Sequence, residues 1–203
     1  MRGIRLFVSA LLAFAVFGGA ASAQNAATGF FDSATKKWVS YRLTPEAAGA
    51  IARSKYKRSV VRYRTGEKPG TIIVDTGERR LYYVLAKGKA VRYGIGVGRE
   101  GFTWSGTEKI TRKAKWPGWT PPPEMIRREA KKGRKLPGYV PGGPKNPLGA
   151  RALYLGGTDY RIHGTNEDWS IGRAVSSGCI RMLNEDVEDL YERVGIGAKV
   201  VVL

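Results

Sequence analysis

The chain has 203 residues, with 35 Lys and Arg against 17 Asp and Glu, a formal net charge of +18, and 42% hydrophobic residues. That length allows one domain with a real core plus an arm. A single histidine and a single cysteine exclude an intramolecular disulfide and leave a zinc site short of ligands, so neither metal nor cofactor is expected.

The first 23 residues read as a secretory signal peptide. Arg2 and Arg5 give a basic start, Leu6 to Phe17 an apolar run, and Ala21-Ser22-Ala23 a small-residue cleavage site before Gln24. The apolar run is short for a membrane span, so the mature chain is expected in the periplasm with no transmembrane segment. Setting aside Arg2 and Arg5 leaves 33 basic against 17 acidic residues. In an exported protein this charge does not point to nucleic acid. It fits an anionic envelope surface reached through a long-range field, or simply a soluble basic exterior.

Residues 24–68 carry weak pattern and read as a basic N-terminal arm or linker. Within it, Thr44-Pro45 predicts the start of a short helix, with Thr44 as N-cap. Arg53 to Arg64 is a basic run interleaved with tyrosines, either a wall-contacting arm or a solvated leader. From Gly70 the pattern turns to strands. Thr71 to Asp75, Leu81 to Ala86 and Val91 to Val97, separated by tight turns, predict an antiparallel meander. Gly94, Gly96 and Gly98 end a strand without a Lys-Ser helix start, so they suit close backbone packing rather than a phosphate loop.

Residues 102–123 combine Trp104, Trp116 and Trp119 with four prolines. They read either as a peptide- or sugar-binding wall or as anchors of a loop. Glu124 to Lys132 predicts a short helix, and Gly133 to Pro147 a long loop bordering a cleft as a lid. Ala152 to Leu155 and Tyr160 to His163 predict strands. Asn184 is expected to cap a helix whose apolar face is Val187, Leu190, Tyr191 and Val194, before a last strand from Lys199. The whole reads as mainly β with minor helices.

The chemistry concentrates between Arg161 and Leu183, which holds both His163 and Cys179. An imidazole can take a thiol proton and so arm it against an acyl carbon. Ser176-Ser177-Gly178 before Cys179 is small and polar, unlike a core. Glycine admits a substrate backbone, and the amides of Gly178 and Cys179 could face a developing oxyanion.

The run HGTN, then IG, then SSGCIRM closely resembles the catalytic motif of the L,D-transpeptidase family of bacterial wall enzymes. The resemblance covers residues 69–203 through PGTIIVDTGERRLYYV, WTPPPEMI and NPLGARALYL. It implies a β-sandwich-like catalytic domain with the cysteine loop at the mouth of a cleft. It also implies attack on a peptidoglycan tetrapeptide stem between meso-diaminopimelate and the terminal D-alanine. D-Alanine leaves, the stem is held as a thioester, and an amine accepts it. By the same resemblance Cys179 is the nucleophile, His163 the general base, and Gly178 and Cys179 the oxyanion hole. Arg181 then meets a substrate carboxylate, unless it pairs with Glu185 or Asp186. Gly164, Thr165, Trp116 and Trp119 are candidates for substrate contact.

One position departs from the pattern. Many relatives have a second histidine just before the glycine, where this chain has Ser177. Ser177 or a backbone carbonyl is then expected to orient His163. Two alternatives accompany the transpeptidase reading: a non-catalytic peptidoglycan-binding module, and a transferase attaching an envelope protein to the wall.

Overall fold

The computed structural model describes residues 28–32, 37–41 and 44–203. The predicted signal peptide lies outside the described residues, as do several positions of the predicted arm. The chain divides into two compact units, Met1–Arg42 and Leu43–Leu203. In the first, β1 (Thr28–Asp32) and β2 (Lys37–Tyr41) form an antiparallel hairpin.

The second unit opens with α1 (Pro45–Lys55). The Thr44 side chain accepts a hydrogen bond from the Ala47 amide at 3.2 Å, and Pro45 needs no N–H in the first turn. Then come β3 (Ser59–Arg62) and the expected meander: β4 (Ile72–Asp75), β5 (Arg80–Leu85) and β6 (Lys89–Gly94). The elements that follow are β7 (Val97–Gly98), β8 (Gly106–Lys115), α2 (Pro123–Ala130), β9 (Arg151–Leu155) and β10 (Arg161–His163). A 3-10 turn at Asp168–Ser170 leads to β11 (Ala174–Ser176), β12 (Ile180–Arg181), α3 (Asn184–Arg193) and β13 (Lys199–Val202). The unit is mainly β with minor helices, as the pattern of the chain predicts.

Nine strands run in the order β12-β10-β9-β8-β13-β4-β5-β6-β3. Although β12 and β6 lie near opposite ends of that order, Arg181 at the end of β12 bonds to Gly96 just beyond β6. The two exchange backbone hydrogen bonds of 2.9 and 2.8 Å. The sheet therefore folds over on itself, and its exposed edges are reduced. Inside lies one core to which most strands contribute, including Ile72, Leu81, Tyr93, Ile110, Leu153 and Ile162, each fully buried, with Val187 and Leu190 of α3 packed among them. Gly96 must be glycine because a Cβ there would stand 2.6 Å from the Ser170 carbonyl oxygen.

Two elements differ from expectation. Strand β8 lies between β9 and β13, within the stretch read as an aromatic and proline-rich loop. Its sequence GTEKITRKAK buries only Ile110 completely, so no alternation of apolar side chains announces it. Asn184 is not the N-cap of α3. Leu183 holds that place, and the Asn184 carboxamide is taken by tertiary partners instead.

Candidate active site

His163 ends β10, and Cys179 immediately precedes its neighbour β12. β10 and β12 run parallel, with Ile162 opposite Ile180 and His163 opposite Arg181. Ile162 and Ile180 turn into the core. The two-residue period of a strand then puts Arg161, His163 and Arg181 on the other face, and Cys179 immediately precedes β12.

His163 is buried, and its Nδ1 lies 2.6 Å from the Gly164 carbonyl oxygen. A carbonyl only accepts, so Nδ1 carries the proton and Nε2 is left as the basic nitrogen. Burial, with the charges of Arg181 and Arg161 adding to it, lowers the imidazole pKa to about 3. The ring is therefore neutral at pH 7.

Cys179 is half-buried, and its Sγ has the Asp159 carbonyl as a weak acceptor at 3.8 Å. Burial pushes the thiol pKa up, with the Arg161 charge opposing it. Both shifts favour the neutral pair over a resting thiolate–imidazolium pair. Proton transfer then belongs to the encounter with an electrophile, not to the resting state.

The loop before Cys179 is bound tightly to itself. Ser176 Oγ donates to the Cys179 carbonyl at 2.6 Å and accepts from the Gly178 amide at 3.2 Å. The Gly178 amide is thus engaged, whereas the Cys179 amide makes no hydrogen bond among the described residues. Gly178 has φ +107°, and a Cβ there would stand 2.5 Å from a Tyr160 ring carbon. Only glycine fits. Tyr160 stacks on Trp104 with ring centroids 4.8 Å apart, and Trp104 Nε1 donates to the Gly178 carbonyl at 3.2 Å. The sequence presents Trp104 only as one of several aromatics, and Tyr160 only as the first residue of a predicted strand. The position of Tyr160 immediately before β10 was the available signal.

The other candidates fall into three groups. Arg181 Nη1 meets Glu167 Oε2 at 2.7 Å. It does not pair with Glu185 or Asp186, as the alternative reading had it; the cation beside Asp186 is Arg58 at 3.8 Å. Ser177 Oγ lies 3.4 Å from Arg128 Nη2, which donates to it, while the carbonyl that holds the His163 ring is that of Gly164. Gly164 and Thr165 are buried beneath Asn184, whose Nδ2 donates to the Thr165 carbonyl and whose Oδ1 accepts from the Ala150 amide, both at 2.9 Å.

Trp116 and Trp119 sit against the long loop. Trp119 and Val140 exchange two backbone bonds of 2.8 Å, and Gly142 packs against the Trp116 carbonyl. Asn146, buried, ties that loop down by donating to the Val140 and Pro141 carbonyls at 3.0 Å each.

On the far side, α1 braces the segment that leads to Cys179. Ala52 and Tyr56 pack with Ile171 and Leu183, and Arg53 pairs with Asp168.

This chain is similar to known proteins over the same region. The YkuD family model, described as the L,D-transpeptidase catalytic domain, matches residues 69–202. The probable L,D-transpeptidase ErfK/SrfK of Escherichia coli K12 is 42% identical over 137 residues, 65% of this chain and 43% of that protein. The probable L,D-transpeptidase YbiS of the same organism is 42% identical over 135 residues, 64% of this chain and 43% of that protein. The match thus spans less than half the length of these curated relatives. Among solved structures, an L,D-transpeptidase from Mycobacterium smegmatis aligns with a TM-score of 0.51 at 17% identity, over 66% of this chain and 58% of that one. At that identity the likeness speaks for the fold. The chain belongs to the L,D-transpeptidase catalytic domain family.

Proposed function

We propose that this protein is an exported cysteine L,D-transpeptidase acting on peptidoglycan tetrapeptide stems. The observation that supports the reading is the pairing of β10, which ends at His163, with β12, which Cys179 immediately precedes, with Nδ1 of the imidazole committed to the Gly164 carbonyl. His163 Nε2 takes the thiol proton as Sγ attacks the diaminopimelate carbonyl. The tetrahedral oxyanion is met by the Cys179 amide. Collapse breaks the bond to D-alanine, whose amine leaves with the proton from His163, and the stem stays on Cys179 as a thioester. An amine acceptor then attacks that thioester, with His163 taking the amine proton and returning it to sulfur.

The ordering of the loop by Ser176, Trp104 and Tyr160 supports this role, since a nucleophile acts best when its geometry is set before the substrate arrives. Trp116 is 43% exposed and is assigned to the stem-binding wall. Arg181 is assigned to orientation of the site through Glu167. Residues 1–23 direct the chain to the periplasm, residues 24–68 include the basic arm that meets the anionic envelope, and residues 69–203 carry the chemistry.

Intact-mass spectrometry of the mature chain mixed with a tetrapeptide muropeptide tests this. A mass gain of the stem less D-alanine, absent in Cys179→Ala, is expected. No adduct and no released D-alanine would sink the reading. Adding stem amines, protein amines or neither then identifies the acceptor from the product.

A further inference from the structure

Two arginines outside the Cys–His pair converge on the loop that carries the nucleophile. The Arg99 amide donates to the Ser176 carbonyl at 3.1 Å, which fixes the Arg99 backbone beside the end of β11, three residues before Cys179. Arg128, on α2, donates from Nη2 to Ser177 Oγ at 3.4 Å. Both guanidiniums lie against one ring, Phe102, with Cζ at 4.0 Å from its centroid for Arg99 and 5.8 Å for Arg128. The Phe102 carbonyl in turn crowds Gly98 and lies 3.2 Å from where a Cβ on Gly178 would stand. The cationic pair is therefore adjacent to the residue that precedes Cys179.

Two like charges this close repel unless an anion lies between or beside them. Arg99 has no carboxylate partner among the described residues. Arg128 has only Glu129, at 3.6 Å, and that one carboxylate is shared with Lys132 and Arg134. Burial first, and then the charge of Arg128, lower the Arg99 pKa, with Glu129 opposing them. Arg181, the cation first expected to meet substrate, is already neutralised by Glu167. Arg161, which also has no carboxylate partner among the described residues, acts on the thiol itself; Arg99 and Arg128 are the cations on the Ser176–Ser177 side of the loop.

We propose that Arg99 and Arg128 form a clamp for a carboxylate of the peptidoglycan stem, and so decide which stems reach Cys179. The inference rests on the transpeptidase reading for the identity of the ligand. A stem peptide offers free carboxylates at its terminal D-alanine and on its diaminopimelate side chain, and a planar guanidinium pair suits either in bidentate contact. Amidation of the carboxylate that the clamp holds removes the charge while leaving the shape of the stem.

Calorimetric binding of three ligands to Cys179→Ala protein tests the clamp: the native tetrapeptide muropeptide, its terminal amide, and its diaminopimelate side-chain amide. The native ligand is expected to bind about tenfold more tightly than one of the two amides. In Arg99→Met and in Arg128→Met that preference should vanish, with the native ligand weakened about tenfold, and Arg128→Lys should restore part of it. Undiminished preference in both Met variants overturns the proposal, as does equal weakening of all three ligands, which marks a structural role. Acylation of the Cys179-containing protein is read separately by mass. Its absence would sink the transpeptidase reading while the binding preference still decides the clamp.

Discussion

His163 donates from Nδ1 to the carbonyl oxygen of its own successor, Gly164, at 2.6 Å. The bond spans a single peptide unit, so the tautomer of the ring depends on how Gly164 is held. Gly164 is held by Asn184, which sits where any Cβ on Gly164 or Gly149 would have to go.

Asn184 should therefore matter to both stability and rate. Asn184→Ala leaves the Ala150 amide and the Thr165 carbonyl without their partners, at a cost of about 2–4 kcal/mol. For a domain of this size that is a fall of roughly 5–15 °C in Tm, measurable by calorimetry. Acylation should drop further than the loss of folded protein accounts for, because the Gly164 carbonyl is no longer fixed. An unchanged rate per folded molecule would separate Asn184 from His163.

The pH dependence of stability follows from the neutral imidazole. The unfolded chain takes up a proton near pH 6.5, whereas folded His163 refuses it down to about pH 3. Stability contributed by the neutral ring is thus intact above pH 6.5 and falls by about 1.4 kcal/mol per pH unit below it. Asp186 works the other way: burial raises its carboxyl to about 6, so the folded state gains there as pH falls from 6. Comparing denaturant curves of the parent and His163→Gln between pH 4 and 8 cancels the Asp186 contribution. The parent should lose more stability on acidification than the variant; parallel curves would contradict a buried neutral ring.

The thiol makes a separate prediction. Burial raises the Cys179 pKa above its ordinary range, so alkylation by iodoacetamide in the absence of substrate should keep accelerating through pH 9. A plateau below pH 8 would instead reveal a preformed thiolate. Cys179→Ala should show no labelling, since it is the one cysteine of the chain.

The unit that contains the site begins at Leu43, although the family match begins at residue 69. A chain starting at Leu43 should match the mature chain in Tm. One starting at Pro69 loses Ala52 and Tyr56 from the cluster with Ile171 and Leu183, and loses β3 from beside β6. Uncovering Ile171 and Leu183 costs on the order of 2–4 kcal/mol, read as a lower Tm and faster proteolysis ahead of Cys179. Equal stability of the two chains would make α1 a passenger.

Legibility in the sequence followed local physics. The β4–β6 meander could be read because Lys87-Gly88 and Thr76 to Arg79 are turn chemistry flanking apolar runs. Helix α1 could be read from Thr44-Pro45. Strand β8 could not, because a strand that buries one side chain fully shows no period of two. Asn184 was legible as a helix-start residue but not as the clasp over Gly164, since its partners Ala150 and Thr165 are distant in sequence. The Cys–His pair stood out by rarity and motif. Arg99 and Arg128 did not: each is one arginine among many, and only the fold brings both to the Phe102 ring.

The backbone bonds between Gly96 and Arg181 also bear on how the molecule is made. Bringing together residues so distant along the chain costs loop-closure entropy that the contact then has to offset. Arg181 lies two residues beyond the cysteine, so the loop is anchored by this long-range closure. Before such a closure the cysteine is an ordinary thiol on an open chain, set in its loop only once these distant strands meet.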